Sequence, residues 1–195
     1  MRNVNRTFLC NNTTVLTLSI TYPEAALPCN RAAQGCINRE IMAQVNSFYC
    51  YCANDLRCQA IAGCREACAN GFPLNAYDAV MRYEITYNQQ CHLSLYRDQY
   101  TYTGGAHGNT VRAPDTWNLE SGCRLSLASL FPVGTDYRAF LLKQILCLAD
   151  QQMRQNPGIY FDDYRALIAK HFNENSFYLT PTGLAIYYQQ YDIAP

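Results

Sequence analysis

An α+β fold, with antiparallel sheets of hairpins packed on one long helix and two shorter helices, is predicted by three features of the chain. The first is an apolar stripe, Ile37, Ile41, Val45, Phe48, Cys52 and Leu56. Its steps of four, four, three, four and four keep side chains on one helix face. The second is a pair of runs with alternating polarity, Asn75–Gln90 and His92–Thr103, separated by no more than a turn, as a hairpin requires. The third is punctuation by turn formers: Gly71-Phe72-Pro73, Ser121-Gly122, Asn156-Pro157-Gly158 and Pro181-Thr182-Gly183.

Taken in order, the chain opens with a β-branched strand over Asn11–Tyr22, ended by Pro23. Arg31–Asn70 reads as the long helix, with room for one break; Ala60 and Ala67 extend its stripe, and Gly71 suits its C-cap. The hairpin follows, with Asn88–Cys91 as its turn. Asn109–Leu119 is a third strand, and Pro114, which has no N–H to donate, confines it to an edge or a bulge. Leu125–Pro132 is a short apolar connector. Thr135 is the expected N-cap of a second helix, whose buried stripe is Tyr137, Leu141, Ile145 and Leu148. A third helix spans Phe161–His171, with Asp162 and Asp163 in its first turn. Ser176–Thr180 and Leu184–Tyr188 form a closing hairpin. The 195 residues suit a single domain or two intertwined lobes. One lobe would cover about 1–90 with the long helix, the other about 91–195 with a glycine-rich turn and the closing hairpin.

Composition narrows the function. Charged residues are only 15% and formally cancel, 15 basic against 15 acidic. With no basic excess to neutralise phosphates, nucleic acid is not an expected partner. The 16 tyrosines fit either a binding surface for protein or glycan, or the half-buried faces of strands. No run approaches the ~18 apolar residues of a membrane span. Met1–Cys10 has no apolar signal-peptide core. The expectation is either a cytoplasmic protein or a piece whose targeting segment is missing.

Eleven cysteines exceed ordinary usage, and their odd number forbids complete internal pairing. Cys50, Cys52, Cys58, Cys64 and Cys68 lie on the long helix, where Cys50, Cys64 and Cys68 fall on a similar side. No C-x2-C knuckle of the structural zinc kind occurs. Small, semi-apolar filling with some bridges to Cys10, Cys29 or Cys36 is one reading, and a metal or redox site is another.

The segment Tyr102-Thr103-Gly104-Gly105-Ala106-His107-Gly108-Asn109-Thr110 is the most distinctive stretch. Its glycines permit positive φ and close backbone approach. In one reading Tyr102, Gly104, Gly105, His107 and Asn109 form a protruding loop that contacts a partner or glycan. In the other it is a crossover of closely packed backbone, with His107 donating to a carbonyl. No Lys or Ser/Thr stands at phosphate-loop spacing. Asp98 and Asp115 are near in sequence, but nothing there joins them to His107 as a catalytic set.

Several phrases carry a family resemblance: Ile20-Thr21-Tyr22-Pro23, Tyr83-Glu84-Ile85-Thr86-Tyr87, the glycine-rich segment, Leu127-Ala128-Ser129-Leu130-Phe131, Phe177-Tyr178-Leu179-Thr180, Gly183-Leu184 and Tyr191-Asp192-Ile193-Ala194-Pro195. With them the chain resembles the extracellular region of RsiV-type anti-sigma factors and the N-terminal accessory region of PdaC-type peptidoglycan deacetylases. That resemblance implies an extracellular, non-catalytic binding or sensor domain of a Gram-positive cell envelope, held to the membrane through an N-terminal anchor absent from this sequence. It implies lysozyme or a cell-wall glycan as partner, and no cofactor. The cysteine-rich helix departs from the family, and the stop at Pro195 suggests a trimmed chain. A peptidoglycan-acting hydrolase, or its accessory domain, and a cysteine-based metal or redox protein are the rival readings.

Overall fold

The computed structural model describes all 195 residues. Five strands form one sheet in sequence order: β1 (Arg2–Cys10), β2 (Thr13–Tyr22), β3 (Tyr77–Gln89), β4 (His92–Tyr102) and β5 (Asn109–Asn118). All neighbours are antiparallel except β2 and β3, which run parallel. The parallel pair departs from the all-hairpin expectation. The helical segment between those strands carries the chain back to the sheet's starting end, as a parallel neighbour requires. β1 was not foreseen, because its inward positions, Val4 and Phe8, are diluted by Asn3, Asn5, Arg6 and Thr7. Asn11 and Asn12, expected within a strand, instead form the two-residue β1–β2 turn with φ of 49° and 65°, values that asparagine tolerates better than most residues.

The long helix is α1 (Arg31–Tyr51), a π turn (Cys52–Leu56) and α2 (Arg57–Asn70). Asn30 caps its start by accepting from Ala33 N, and Gly71, with φ 69°, closes its end. Every residue of the predicted stripe is buried, and Ala60 and Cys64 continue it. From Phe48 the steps are four, four, four and four. In a regular α-helix each such step drifts by about 40°. The wider π turn absorbs the drift and keeps the stripe on the sheet. The stripe packs on Leu16, Leu18 and Ile20 of β2, Ala79, Met81 and Tyr83 of β3, Leu93 and Leu95 of β4, and Trp117 of β5.

A smaller layer covers part of the opposite face. It comprises a 3-10 turn (Leu127–Leu130), α3 (Tyr137–Gln155), α4 (Tyr164–His171) and the hairpin of β6 (Phe177–Thr180) and β7 (Gly183–Ile186). Its apolar groups are separate: Leu127, Leu141, Phe172 and Phe177 in one, and Ala149, Tyr164 and Ile168 in another. Asp136 caps α3 in place of the expected Thr135, accepting from Ala139 N. α4 starts at Tyr164 after Asp163, so neither predicted aspartate lies in its first turn. Leu148, expected inside, is 59% exposed, because Ala149 supplies the buried contact one residue later. The division suggested near residue 90 falls at the β3–β4 turn, between two hydrogen-bonded strands of one sheet.

Candidate functional site

On the sheet face away from the long helix, alternation aligns Asp78, Val80 and Arg82 of β3 beside Asp98 and Tyr100 of β4 and Thr110 of β5. The smaller layer leaves these residues uncovered, and together they line a cleft of about 380 Å³. Its floor mixes an aromatic ring, two carboxylates, a guanidinium and a hydroxyl. Asp78 accepts from the Thr17 hydroxyl of β2.

The glycine-rich segment borders this cleft as the β4–β5 connection. Gly104 has φ 84° and its carbonyl accepts from Asn75 Nδ2 at 3.2 Å. Gly108 is pressed against Tyr100: a Cβ built there would lie 2.3 Å from the ring. Only glycine permits that approach, so the loop clamps one wall of the cleft. Gly105 meets nothing within 4 Å. His107 is exposed, with Nδ1 3.3 Å from the Gly108 carbonyl and its ring centroid 6.2 Å from that of Tyr191. Asn109 is exposed and Tyr102 half-buried. The structure thus shows both the close packing and an open rim: the glycines hold the turn while His107 projects from it.

Where the smaller layer meets the cleft, charge and aromatic rings interlock. Arg112 donates from Nε and Nη2 to the two oxygens of Asp98, each at 2.7 Å, and its guanidinium lies 3.7 Å from the Tyr96 centroid. The carboxylate raises the already high pKa of that guanidinium. Tyr96 contacts Tyr178 at 5.2 Å between centroids, and the Tyr187 hydroxyl donates to the Arg112 carbonyl at 3.1 Å. Gln189 then completes the β5 edge as a strand would. Its amide oxygen accepts from Arg112 N at 3.0 Å, and its Nε2 donates to Arg112 O at 2.7 Å. Gln190 accepts from Thr110 N at 3.3 Å. The terminal turn behind them is held by Asp192, which accepts from Gln189 N at 2.7 Å and faces His171 Nδ1 at 3.4 Å.

Asp115 belongs to the other face, buried between sheet and α1. Its Oδ2 accepts from Gln44 Nε2 at 2.8 Å and Arg97 Nη1 at 2.9 Å. Arg124 Nη1 lies 2.7 Å from Oδ1 without an aligned N–H. Burial raises the Asp115 pKa, and the two arginines oppose that rise. Asp98 and Asp115 are therefore on opposite faces, each tied to arginine, and the structure does not bring them together with His107. No group of three or more His, Cys, Asp and Glu residues is placed to hold a metal ion.

The glycine-rich loop leaves a clear mark in the sequence, and the cleft beside it leaves little. Asp78, Arg82 and Tyr100 are ordinary strand residues, and their only signal is shared parity in two strands known to pair. Gln189 carried no signal, since its role depends on an edge more than 70 residues away.

The family model described as Deacetylase PdaC matches residues 9–110, and that described as Protein of unknown function (DUF3298) matches residues 128–195. The peptidoglycan-N-acetylmuramic acid deacetylase PdaC of Bacillus subtilis is 24% identical over 115 residues, 57% of this chain and 24% of that protein. The chain thus aligns with about a quarter of that relative's length. A crystal structure of a DUF3298 family member from Bacteroides fragilis superposes with a TM-score of 0.63 at 20% identity, covering all of this chain and 84% of the other. One from Pseudomonas aeruginosa gives 0.54 at 14% identity, covering all of this chain and 82% of the other. These two likenesses show the fold.

Proposed function

The chain belongs to the family described as Deacetylase PdaC, and from that premise we propose that it is an extracellular, cell-wall-associated binding domain. It holds a glycan strand of peptidoglycan in the cleft beside the glycine-rich loop and performs no chemistry on it. The observation that carries this reading is the pressing of Gly108 onto Tyr100, which ties the most distinctive segment of the sequence to the wall of an open cleft. A tyrosine ring offers a sugar its apolar face and a hydroxyl. Asp78 can accept from sugar hydroxyls, and Arg82 can donate to hydroxyls or an N-acetyl carbonyl. A few such groups around an apolar surface are the ordinary make-up of a small-ligand site. The peptidoglycan deacetylase among the relatives supports this ligand class.

The arrangement offers little support to the hydrolase reading. Both oxygens of Asp98 are taken by Arg112, whereas hydrolysis of a glycosidic bond asks for two available carboxyl groups.

The test is a calorimetric titration with soluble peptidoglycan fragments, followed by mass spectrometry of the recovered fragments. Binding with Kd near or below ~100 µM is expected. Tyr100→Ala should weaken it about tenfold, equivalent to about 1.4 kcal/mol, with the circular dichroism spectrum unchanged. His107→Ala should weaken it more than Tyr191→Ala. Absence of binding would reject the glycan reading, and fragments that had lost acetate or been cleaved would reject the non-catalytic one. Lysozyme, the partner implied by the likeness to anti-sigma factors, is the second titrant; binding that survives Tyr100→Ala would place the partner away from the cleft.

A further inference from the structure

All eleven cysteines are thiols in the structure, so the bridges expected to Cys10, Cys29 or Cys36 are absent. The outer sheet face offers a different candidate. At the end opposite the charged cleft it carries a second cleft, of about 670 Å³, a size within the range of small-ligand sites. Strand β4 leads from one to the other: its outward residues run from Tyr100 and Asp98, through Tyr96 and Ser94, to His92. The middle pair is covered, because Tyr178 packs on Tyr96 with centroids 5.2 Å apart and Leu179 N donates to Ser94 Oγ at 2.9 Å. A bulge between Ile85 and Tyr87 shifts the β3 register. Before it Tyr83 lies in the core. After it Tyr87 stands opposite Ser94 and faces outward, lining the second cleft.

The walls of this cleft are apolar, and the polar groups between them are uncharged amides, hydroxyls and one imidazole. Leu184, the Tyr87 ring and Phe131, which stacks on Tyr137 with ring planes 17° apart, supply the apolar surface. No aspartate, glutamate, lysine or arginine lines it, whereas Asp78, Arg82 and Asp98 line the first. The hydrogen bonds already made decide what is left to offer. His92 Nδ1 lies 2.6 Å from the Gln90 carbonyl, which can only accept. The ring proton therefore sits on Nδ1, and Nε2 of the neutral ring is an acceptor. The Thr180 hydroxyl donates to Gly183 O at 2.9 Å. The Thr182 hydroxyl, 3.2 Å from it, therefore donates to Thr180 and keeps its own lone pairs. The Tyr87 hydroxyl donates to Gln90 Oε1 at 3.3 Å, which leaves the Gln90 amide N–H groups as donors.

We propose that this second cleft binds an uncharged sugar, an N-acetylglucosamine unit of a cell-wall glycan. A pyranose sets its C–H faces against aromatic and aliphatic walls. Its hydroxyls bring the protons that His92 Nε2 and the Thr182 and Tyr87 oxygens can accept, and its N-acetyl carbonyl can take a Gln90 N–H. An ionised group would lose water there without a counter-charge, which disfavours a stem peptide with its free carboxylates. The ligand class rests on the glycan reading above. The place does not, since the two clefts share no residue. Tyr100 and His92 are eight positions apart on β4, about 26 Å at the rise of a strand, so the two clefts take separate sugar units.

The test titrates the full chain with chitotriose, a neutral trimer of N-acetylglucosamine, and follows the backbone amides by NMR. Saturable binding with Kd near or below ~1 mM is expected, with the largest shifts at His92 and Thr182–Leu184. His92→Ala should raise that Kd about three- to tenfold, the worth of one hydrogen bond. Thr182→Ala, at an exposed turn, should raise it by a similar factor and carries the test if His92→Ala fails to fold. The shifts at His92 and Thr182 should persist in Tyr100→Ala, which separates failure of the first cleft from failure of this one. Absence of saturation at ~5 mM chitotriose, shifts confined to Gly104–Gly108, or a stem tetrapeptide that binds at His92 more tightly than chitotriose would overturn the proposal.

Discussion

At the scale of single residues, contacts of a few ångströms decide what each side chain is for. Gly108 is the clearest case. A methyl group there would overlap the Tyr100 ring, so either the ring or the loop must move. Because the atoms met are the far end of a half-exposed side chain that can swing aside, Gly108→Ala should cost less than about 1 kcal/mol of stability by chemical denaturation, yet by displacing the ring it should weaken peptidoglycan binding as Tyr100→Ala does. Gly105→Ala, with open space around it, should change stability by less than ~0.5 kcal/mol. Arg112 is a second case. It pairs with Asp98 through two parallel bonds while stacking on Tyr96, a combination lysine cannot reproduce. Arg112→Lys should destabilise the protein by about 1–3 kcal/mol and raise hydrogen exchange in β6 and β7 before it does so in β2 and β3.

At the scale of elements, the helix shows how a pattern can foretell an irregularity. Steps of four repeated from Phe48 to Cys64 do not suit a regular α-helix, and the π turn at Cys52–Leu56 reconciles them with one sheet-facing stripe. This arrangement predicts an asymmetry between deletions. Removing the exposed Asn54 takes one residue from the π turn and lets a regular α-helix run through with its stripe still aligned. Removing the exposed Ala43 turns everything after it by about 100° and drives Val45, Phe48, Cys52 and Leu56 off the sheet. Thermal denaturation of the two variants should show a cooperative transition for the first and none for the second; equal behaviour would mean that the π turn is not what maintains the phase. The strand elements follow a simpler rule. Pro114 marks β5 as an edge, and the structure places it there, with the Gln189 and Gln190 side chains covering N–H groups that an edge strand leaves open.

At the scale of the molecule, the buried groups favour their neutral forms, and this sets the response to alkali. Burial pushes the Cys52 thiol up to about 12 from 9.0, and burial followed by the charge of Asp192 pushes the Tyr188 phenol up to about 12 from 10.0. The folded state holds these protons more tightly than the unfolded chain. Their stabilisation is complete below the unfolded values and is lost as pH rises through the folded ones. The thermal midpoint should therefore fall between pH 9 and pH 12, and Cys52→Ala should flatten that fall. A midpoint independent of pH across the window would show that neither group is shielded.

Much of the architecture was legible in order along the chain. Helix and strand periods are local consequences of side-chain direction, so the stripe, the β3–β4 hairpin, the closing hairpin and the Gly71 cap could be read before any contact was known. The glycine-rich turn was legible too, because positive φ and close approach leave their mark in glycine. What residues 1–195 could not reveal alone was proximity across distance: the parallel seating of β2 against β3, the cleft formed by Asp78, Arg82 and Tyr100, the arginine ties on Asp98 and Asp115, and the Gln189 cover of β5. Each depends on which surfaces of separate elements come to face each other. Packing of the whole chain decides that, and no local pattern records it.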